Sequence, residues 1–443
     1  MALIAVLVLL YWRGAIWHLE QVNTNMSAHN QQSFMRYAKN LKEHNYDYLG
    51  DRNRMPLYPF LQSLFYDSEM SSEEFFERGK YVNVALSIIL LLTMLRIFAA
   101  YLPMLATTPI MLILSFTVYI FKAAYFQSEL LFYFLNACAF VLMCETMSRP
   151  SWRMGILTGI TLGMAHLTKA SVLPGFVLFL VFAASKCVYI LHSRNRPVRH
   201  ARPSLHDKKE SLHAMLSISL ALLSFLGVVF PYIRNSKKMF GSYFYNVNST
   251  FYMWYDSWEE VKQGTRAHGD RKGWPDMPPE LIPSPRKYLR EHSAQQMARR
   301  VLDGLSEIHR KARTSYGFYK YVLIYLAFLL VTIVLDVRRA IQLARQHVFL
   351  LLFGLCYFAG YLVLYAWYVP IGSGIRFVLA QFIPFMFSVI YTTNRLSVRS
   401  VYIKSHEKRL KVWTIFNALV LLLVIHDIHS VLTNRILTVH AGN

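Results

Sequence analysis

Residues 347–368, HVFLLLFGLCYFAGYLVLYAWY, run for 22 positions without one Asp, Glu, Lys or Arg. An α-helix of roughly 20 apolar residues crosses a hydrocarbon core about 30 Å thick, so this stretch reads as a transmembrane helix. Working outward, similar runs recur at approximately 1–17, 82–102, 104–122, 129–147, 154–169, 170–191, 212–233, 316–336, 376–393 and 412–432. The expectation is an all-α polytopic membrane protein with about eleven transmembrane helices. The first run is short, contains Arg13 and is followed by no small-residue cleavage site. It reads as a first span whose upstream part is missing or very short rather than as a signal peptide.

Composition points the same way. Of 443 residues, 55% are hydrophobic and 16% charged, whereas a soluble domain runs nearer a quarter charged. The formal charge of +22 does not imply nucleic acid, because the Arg and Lys residues lie in short segments between apolar runs and in one long loop. Cys138, Cys144, Cys187 and Cys356 all fall in or beside apolar runs, with no CxxC spacing and no His cluster. They read as small packing residues, not as a zinc site or a disulfide framework.

Sidedness follows from the basic residues. Arg149 and Arg153; Arg194, Arg196, Arg199 and Arg202; Arg338, Arg339 and Arg345; and Arg395, Arg399, Lys404, Lys408 and Arg409 follow the fourth, sixth, eighth and tenth runs. With eleven spans all four groups share one face, which the positive-inside rule makes cytoplasmic. Two large loops, 18–81 and 234–315, then face the lumen or exterior, and each holds a glycosylation sequon, at Asn25 and Asn248. Phe34 to Leu41 and Phe60 to Tyr66 are too short to span and read as interfacial helices. In the second loop, prolines at 275, 278 and 279 exclude a long helix, and Ser284-Pro285 opens an amphipathic helix reaching Arg313. The chain divides into a transmembrane module, 1–393, and a basic cytoplasmic loop with the last helix, 394–443.

Polar groups at the outer ends of spans are the candidates for chemistry, because holding an ionisable group at mid-membrane costs about 2.5–3.5 kcal/mol on insertion scales. Glu129 opens the fourth span, Lys169 closes the fifth and Arg376 opens the tenth, with Lys122 and His166 at a similar level. Lys122 reads as an end residue snorkelling to the interface, and His166 as a packing hydrogen bonder. Glu129 also suits a helix N-terminus on dipole grounds alone. Cations beside an acid at that depth suit an anionic lipid headgroup reacting with a polar acceptor.

The order of these motifs resembles the GT-C superfamily of membrane glycosyltransferases, in the branch of protein O-mannosyltransferases and bacterial aminoarabinose transferases. The resemblance covers most of the chain. It rests on NQQSFMRYA at 30–38, RNRMPLYP at 52–59, QSELLF at 127–132, GMAHLTKA at 163–170 and GIRF at 374–377. It implies transfer of a sugar from a polyprenyl-phosphate donor to an acceptor on the lumenal or exterior face, with inversion. The membrane would be the endoplasmic reticulum in a eukaryote and otherwise the plasma membrane. Lys169 and Arg376 match the positions that hold the donor phosphate, Glu129 a catalytic acid, and Gln31, Arg52, Arg54 and His166 positions beside substrate. The motifs fix no cofactor and leave a divalent metal open.

One position departs from the pattern. Where the family carries its first-loop Asp, this chain has Asn30, preceded by His29. Three readings follow: His29 or Asp51 supplies the base, the alignment shifts by some residues, or the chain has lost transferase activity. The rival class is a transporter or non-catalytic subunit of the same architecture: the absence of an internal repeat and the charges at span ends weigh against transport, whereas Asn30 keeps the non-catalytic reading open.

Overall fold

The computed structural model describes residues 2–47, 53–195, 205–270, 273–372, 375–397, 402–405 and 408–438. The chain is built of helices, with one short antiparallel hairpin pairing Tyr402–Ser405 with Lys408–Lys411. Among the described residues, eight helices are long and apolar enough to cross a membrane: Ser72–Ala99, Met104–Ala123, Glu129–Ser148, Ala170–His192, Ser211–Phe240, Val348–Ile371, Arg376–Ser397 and Val412–Arg435. A ninth arises if Ala294–Thr314 and Tyr319–Leu335, which meet at 104°, count as one broken span. The chain is therefore an all-α, multi-pass membrane protein. The remaining apolar runs also form helices, Ala2–Gln21 with 20 residues and Trp152–Thr168 with 17.

Several helices outrun the apolar segments that announced them. The loop expected at 18–81 is helical again from Ser72, because Ser71 and Glu74 form a reciprocal capping box that starts the helix in the polar stretch. The second loop starts late, since the helix through 212–233 continues to Phe240. The amphipathic helix expected from Ser284 to Arg313 is two helices, Pro285–Glu291 and Ala294–Thr314. Ser284 caps the first as its Ser-Pro predicts, but Ser293 caps a second one and the chain turns between them. The two interfacial stretches of the first loop are helical, Gln31–Glu43 and Leu57–Ser63.

A close helix pairing sets the position of Lys169. Gly155, Gly159 and Gly163, four residues apart on Trp152–Thr168, form a flat strip against Leu205–Phe240. A Cβ at Gly159 would lie 2.2 Å from the Ala221 carbonyl oxygen, and one at Gly155 would lie 2.3 Å from that of Ser217. Small residues at this spacing let two membrane helices touch backbone to backbone. On the helix of the opening stretch, the buried face is Phe353, Tyr357, Tyr361 and Tyr365, again four apart. The Tyr361 hydroxyl donates to the Ser171 carbonyl at 2.7 Å and accepts from the Gly175 amide at 3.2 Å, bracing the chain just past Lys169.

Candidate functional site

The site forms around a buried turn, Ala124 to Ser128, that joins the helices ending at Ala123 and starting at Glu129. Buried turns are uncommon because their backbone groups lose water and need partners. Here amide side chains supply them. Asn83 donates to the carbonyls of Ala123 and Tyr125 at 3.1 and 2.8 Å, and Asn23 donates to that of Ala124 at 2.8 Å. Gln31 accepts from the Phe126 amide at 2.8 Å and exchanges hydrogen bonds with Asn23. Gln127 reaches back and donates to the His29 carbonyl. The first long loop is thus clamped onto this turn.

Four charged side chains converge at its two ends. Glu129 is 4% exposed; its Oε1 lies 3.5 Å from Lys169 Nζ and 3.9 Å from Arg376 Nη1. Lys122, two residues before the buried turn, is 3% exposed and interacts electrostatically with both Glu129 and Arg376. It does not snorkel to a surface as its place near a span end suggested. A π-helical turn at Ser115–Tyr119 precedes it. Every residue from Phe116 to Tyr133 is buried, so no side of the chain there offers Lys122 a route to the surface.

The cluster is positively charged and under-bonded. Three cations surround one carboxylate, and neither contact to Glu129 is a short hydrogen bond. Among the described residues, Glu129 Oε2 and Arg376 Nε are buried without a hydrogen-bond partner. Helix dipoles sharpen this. Lys169 caps a helix C-terminus, where a cation is favoured, but Arg376 sits in the first turn of its helix, where a cation is disfavoured. The Lys169 ammonium also lies over the rings of Phe377 and Phe132, at 4.8 and 5.5 Å. Tyr133 and Tyr316, which the sequence reading passed over, feel the Glu129 charge and complete the wall. Only the tertiary fold brings Tyr316 there, from 187 positions along the chain.

The other sequence candidates separate. His29 is half-buried beside the cluster, its ring edge-on to Tyr125 at 5.3 Å. Burial, and then the Lys122 charge, hold its imidazole below the usual histidine range, so it is neutral near pH 7. His29 and Asn30 both have left-handed backbone, with φ of 54° and 63°. That conformation is uncommon outside glycine, although Asn tolerates it. Asn30 itself is exposed and its side chain makes no capping bond. Gln31, expected beside substrate, is instead fully buried and occupied by the turn it clamps. His166 is also not in the charged cluster; it is 2% exposed and packed edge-on by Phe225 and Phe244. Arg54 stacks over Phe34 at 5.5 Å within the first loop, while Asp51 and Arg52 lie outside the described residues.

The second long loop presents a different cluster. Arg300 is buried and donates to the carbonyls of Tyr255 and Trp367 at 2.9 and 3.1 Å and to Asp256 Oδ1 at 2.8 Å. Asp256 also accepts from Tyr288 and pairs with His292, both at 2.7 Å. Burial raises the Asp256 carboxyl, but hydrogen bonds from Tyr288 and His292, with the His292 and Arg300 charges, outweigh it and hold it below the usual carboxylate range. These contacts frame a pocket of about 190 Å³ lined by Trp254, Tyr255, Asp256, Lys287, Tyr288 and His292, among others.

A divalent metal does not suit the Glu129 cluster, where one carboxylate faces three cations and a fourth would be repelled. Comparison with known protein families, curated proteins and solved structures returns no match for this chain.

Proposed function

We propose that the protein is a GT-C-like glycosyltransferase of about eleven spans. It moves a sugar from a polyprenyl-phosphate donor to an acceptor hydroxyl at the outer membrane face. The observation that carries this reading is the buried excess of positive charge around Glu129, with an unpartnered guanidinium nitrogen. Such a cluster suits an anion, and a lipid phosphate is the anion a membrane delivers at that depth. Lys122, Lys169 and Arg376 neutralise the phosphate as it departs, which is electrostatic stabilisation of the developing charge. Glu129 orients these cations rather than abstracting a proton, since they crowd it on every charged contact.

His29 supplies the base that Asn30 cannot. Neutral imidazole takes the proton of the acceptor hydroxyl as its oxygen bonds to the anomeric carbon. The bond from that carbon to the phosphate oxygen breaks, and the polyprenyl phosphate leaves with the electron pair. The left-handed backbone at His29 fits this role, since strain of this kind concentrates at functional sites. The aromatic and acidic pocket of the second loop receives the acceptor.

Purified protein supplied with polyprenyl-phosphate sugars is expected to release polyprenyl phosphate. Lys169→Ala abolishes release, and His29→Ala lowers it by about 10²–10⁴-fold while lipid-phosphate binding persists. Binding without turnover for every donor would overturn the enzyme reading. It would favour the second one, a non-catalytic lipid-phosphate-binding subunit, to which Asn30 points.

A further inference from the structure

Two amphipathic helices outside the long spans differ in what covers them. In Ala294–Thr314 the small side meets protein, and a Cβ on Gly304 would lie 2.1 Å from the Ala366 carbonyl oxygen. In Val337–Gln346 no residue is buried. At 100° per residue, Val337, Ala340, Ile341, Leu343 and Ala344 share one side of this helix. Arg338, Gln342, Arg345 and Gln346 share the other, with Arg339 at the border. Val337 and Ile341 are 49% and 47% exposed, and the apolar strip continues into exposed Leu335 and Val348 on the flanking helices.

Connectivity fixes where this strip lies. The helix joins the ends of two apolar helices, Tyr319–Leu335 and Val348–Tyr368, so it lies at a membrane surface. Arg376 and Arg395 stand near the two ends of one helix, about 28 Å apart along its axis, which makes this the face opposite Glu129. Arg339 Nη2 donates to the Arg395 carbonyl at 2.7 Å, linking two connections on that face. Arg395 Nε in turn donates to the Tyr391 hydroxyl at 3.2 Å. The local acid, Asp336, is occupied as the helix cap, accepting from the Arg339 amide at 3.1 Å. Among the described residues Arg339 Nη1 is buried with no hydrogen-bond partner. A guanidinium fixed through one nitrogen to the backbone of a second, exposed arginine, with another nitrogen unsatisfied, offers donors to phosphate oxygens.

We propose that Val337–Gln346 lies in the headgroup layer and that Arg339 and Arg395 bind the phosphate of an anionic phospholipid. The bilayer is the occupant because the apolar strip is continuous with lipid-facing side chains and arginines border it on both edges. This site is separate from the Glu129 cluster and does not depend on the transferase reading.

Native mass spectrometry of the wild-type protein, released from mixed phosphatidylcholine and phosphatidylglycerol, tests it without any substitution. Phosphatidylglycerol is expected to be retained preferentially, and equal retention of the two lipids overturns the proposal. Arg339→Gln and, separately, the exposed Arg395→Gln each reduce the preference about fivefold, the effect of one basic residue near an anionic surface. An unchanged preference in a monodisperse Arg339→Gln protein refutes the assigned site. Inorganic phosphate at matched concentration should leave the preference intact; competition by it would identify a free-phosphate site instead.

Discussion

Replacing Lys122 by Met is expected to stabilise the protein and weaken its hold on a lipid phosphate. Most substitutions of a fully buried side chain do the reverse. Lys122 is 3% exposed; among the described residues its ammonium has two ring faces, Tyr125 and Tyr316, each at 5.8 Å, and no carboxylate in ion-pair reach. Each ring returns about 1 kcal/mol. Withdrawing an ammonium from water costs several kcal/mol even after relaxation. Its attraction to Glu129 is partly cancelled by repulsion from Arg376. Met fills nearly the same volume without charge, so the net gain is about 1–3 kcal/mol, in line with other replacements of buried ionic groups. The binding effect has the opposite sign. A unit charge about 5 Å from a phosphate in an effective dielectric near 20 contributes about 3 kcal/mol. Its loss weakens polyprenyl-phosphate binding by about 100-fold. Thermal unfolding in detergent, followed by tryptophan fluorescence, reads the first effect, and titration with the lipid phosphate reads the second. A lower midpoint with unchanged affinity would show Lys122 to be a packing element and refute the reasoning.

Three further outcomes are expected. Release of lipid phosphate should lose its basic partner on the acid side at a pH below 6.5, because the folded His29 titrates below that value. The same shift costs the fold nothing well above pH 6.5 and destabilises it progressively as pH falls from there through the lowered folded value; a profile insensitive to His29→Gln would assign the base elsewhere. Gly159→Leu forces a side chain into the 2.2 Å gap to Ala221. The helix pair must part, costing about 1–3 kcal/mol or more, with Lys169 displaced; retained activity at full thermal stability would contradict that packing. Asp256→Asn leaves Arg300 buried without its carboxylate and should open the second loop to proteolysis near 256–292 while the spans stay intact. In the wild type, the depressed Asp256 value places the matching stabilisation above pH 3.8, with loss as pH falls through the folded value. Protection that stays constant across that range would count against this latch.

Much of the architecture is legible because a bilayer imposes a length and a polarity on each crossing. The helix at 348–368 stands where its apolar run predicts, and its tyrosines at fourfold spacing already mark the buried face. The glycines at 155, 159 and 163 were equally readable as a close-packing strip. Helix ends were less so, since Ser71 and Ser293 act through capping geometry beyond the apolar segments.

The candidate site divides in the same way. By itself the sequence determined that Glu129, Lys169 and Arg376 stand at ends of apolar runs, because charge is confined there by the cost of burying it. Only the tertiary structure decided that they meet, and that Lys122 joins them rather than reaching for the surface. The cause is a segment buried on every side from Phe116 to Tyr133, its turn held by Asn23, Gln31 and Asn83 from two other segments. No local pattern encodes those contacts, because each depends on groups brought from 40 to 101 positions away.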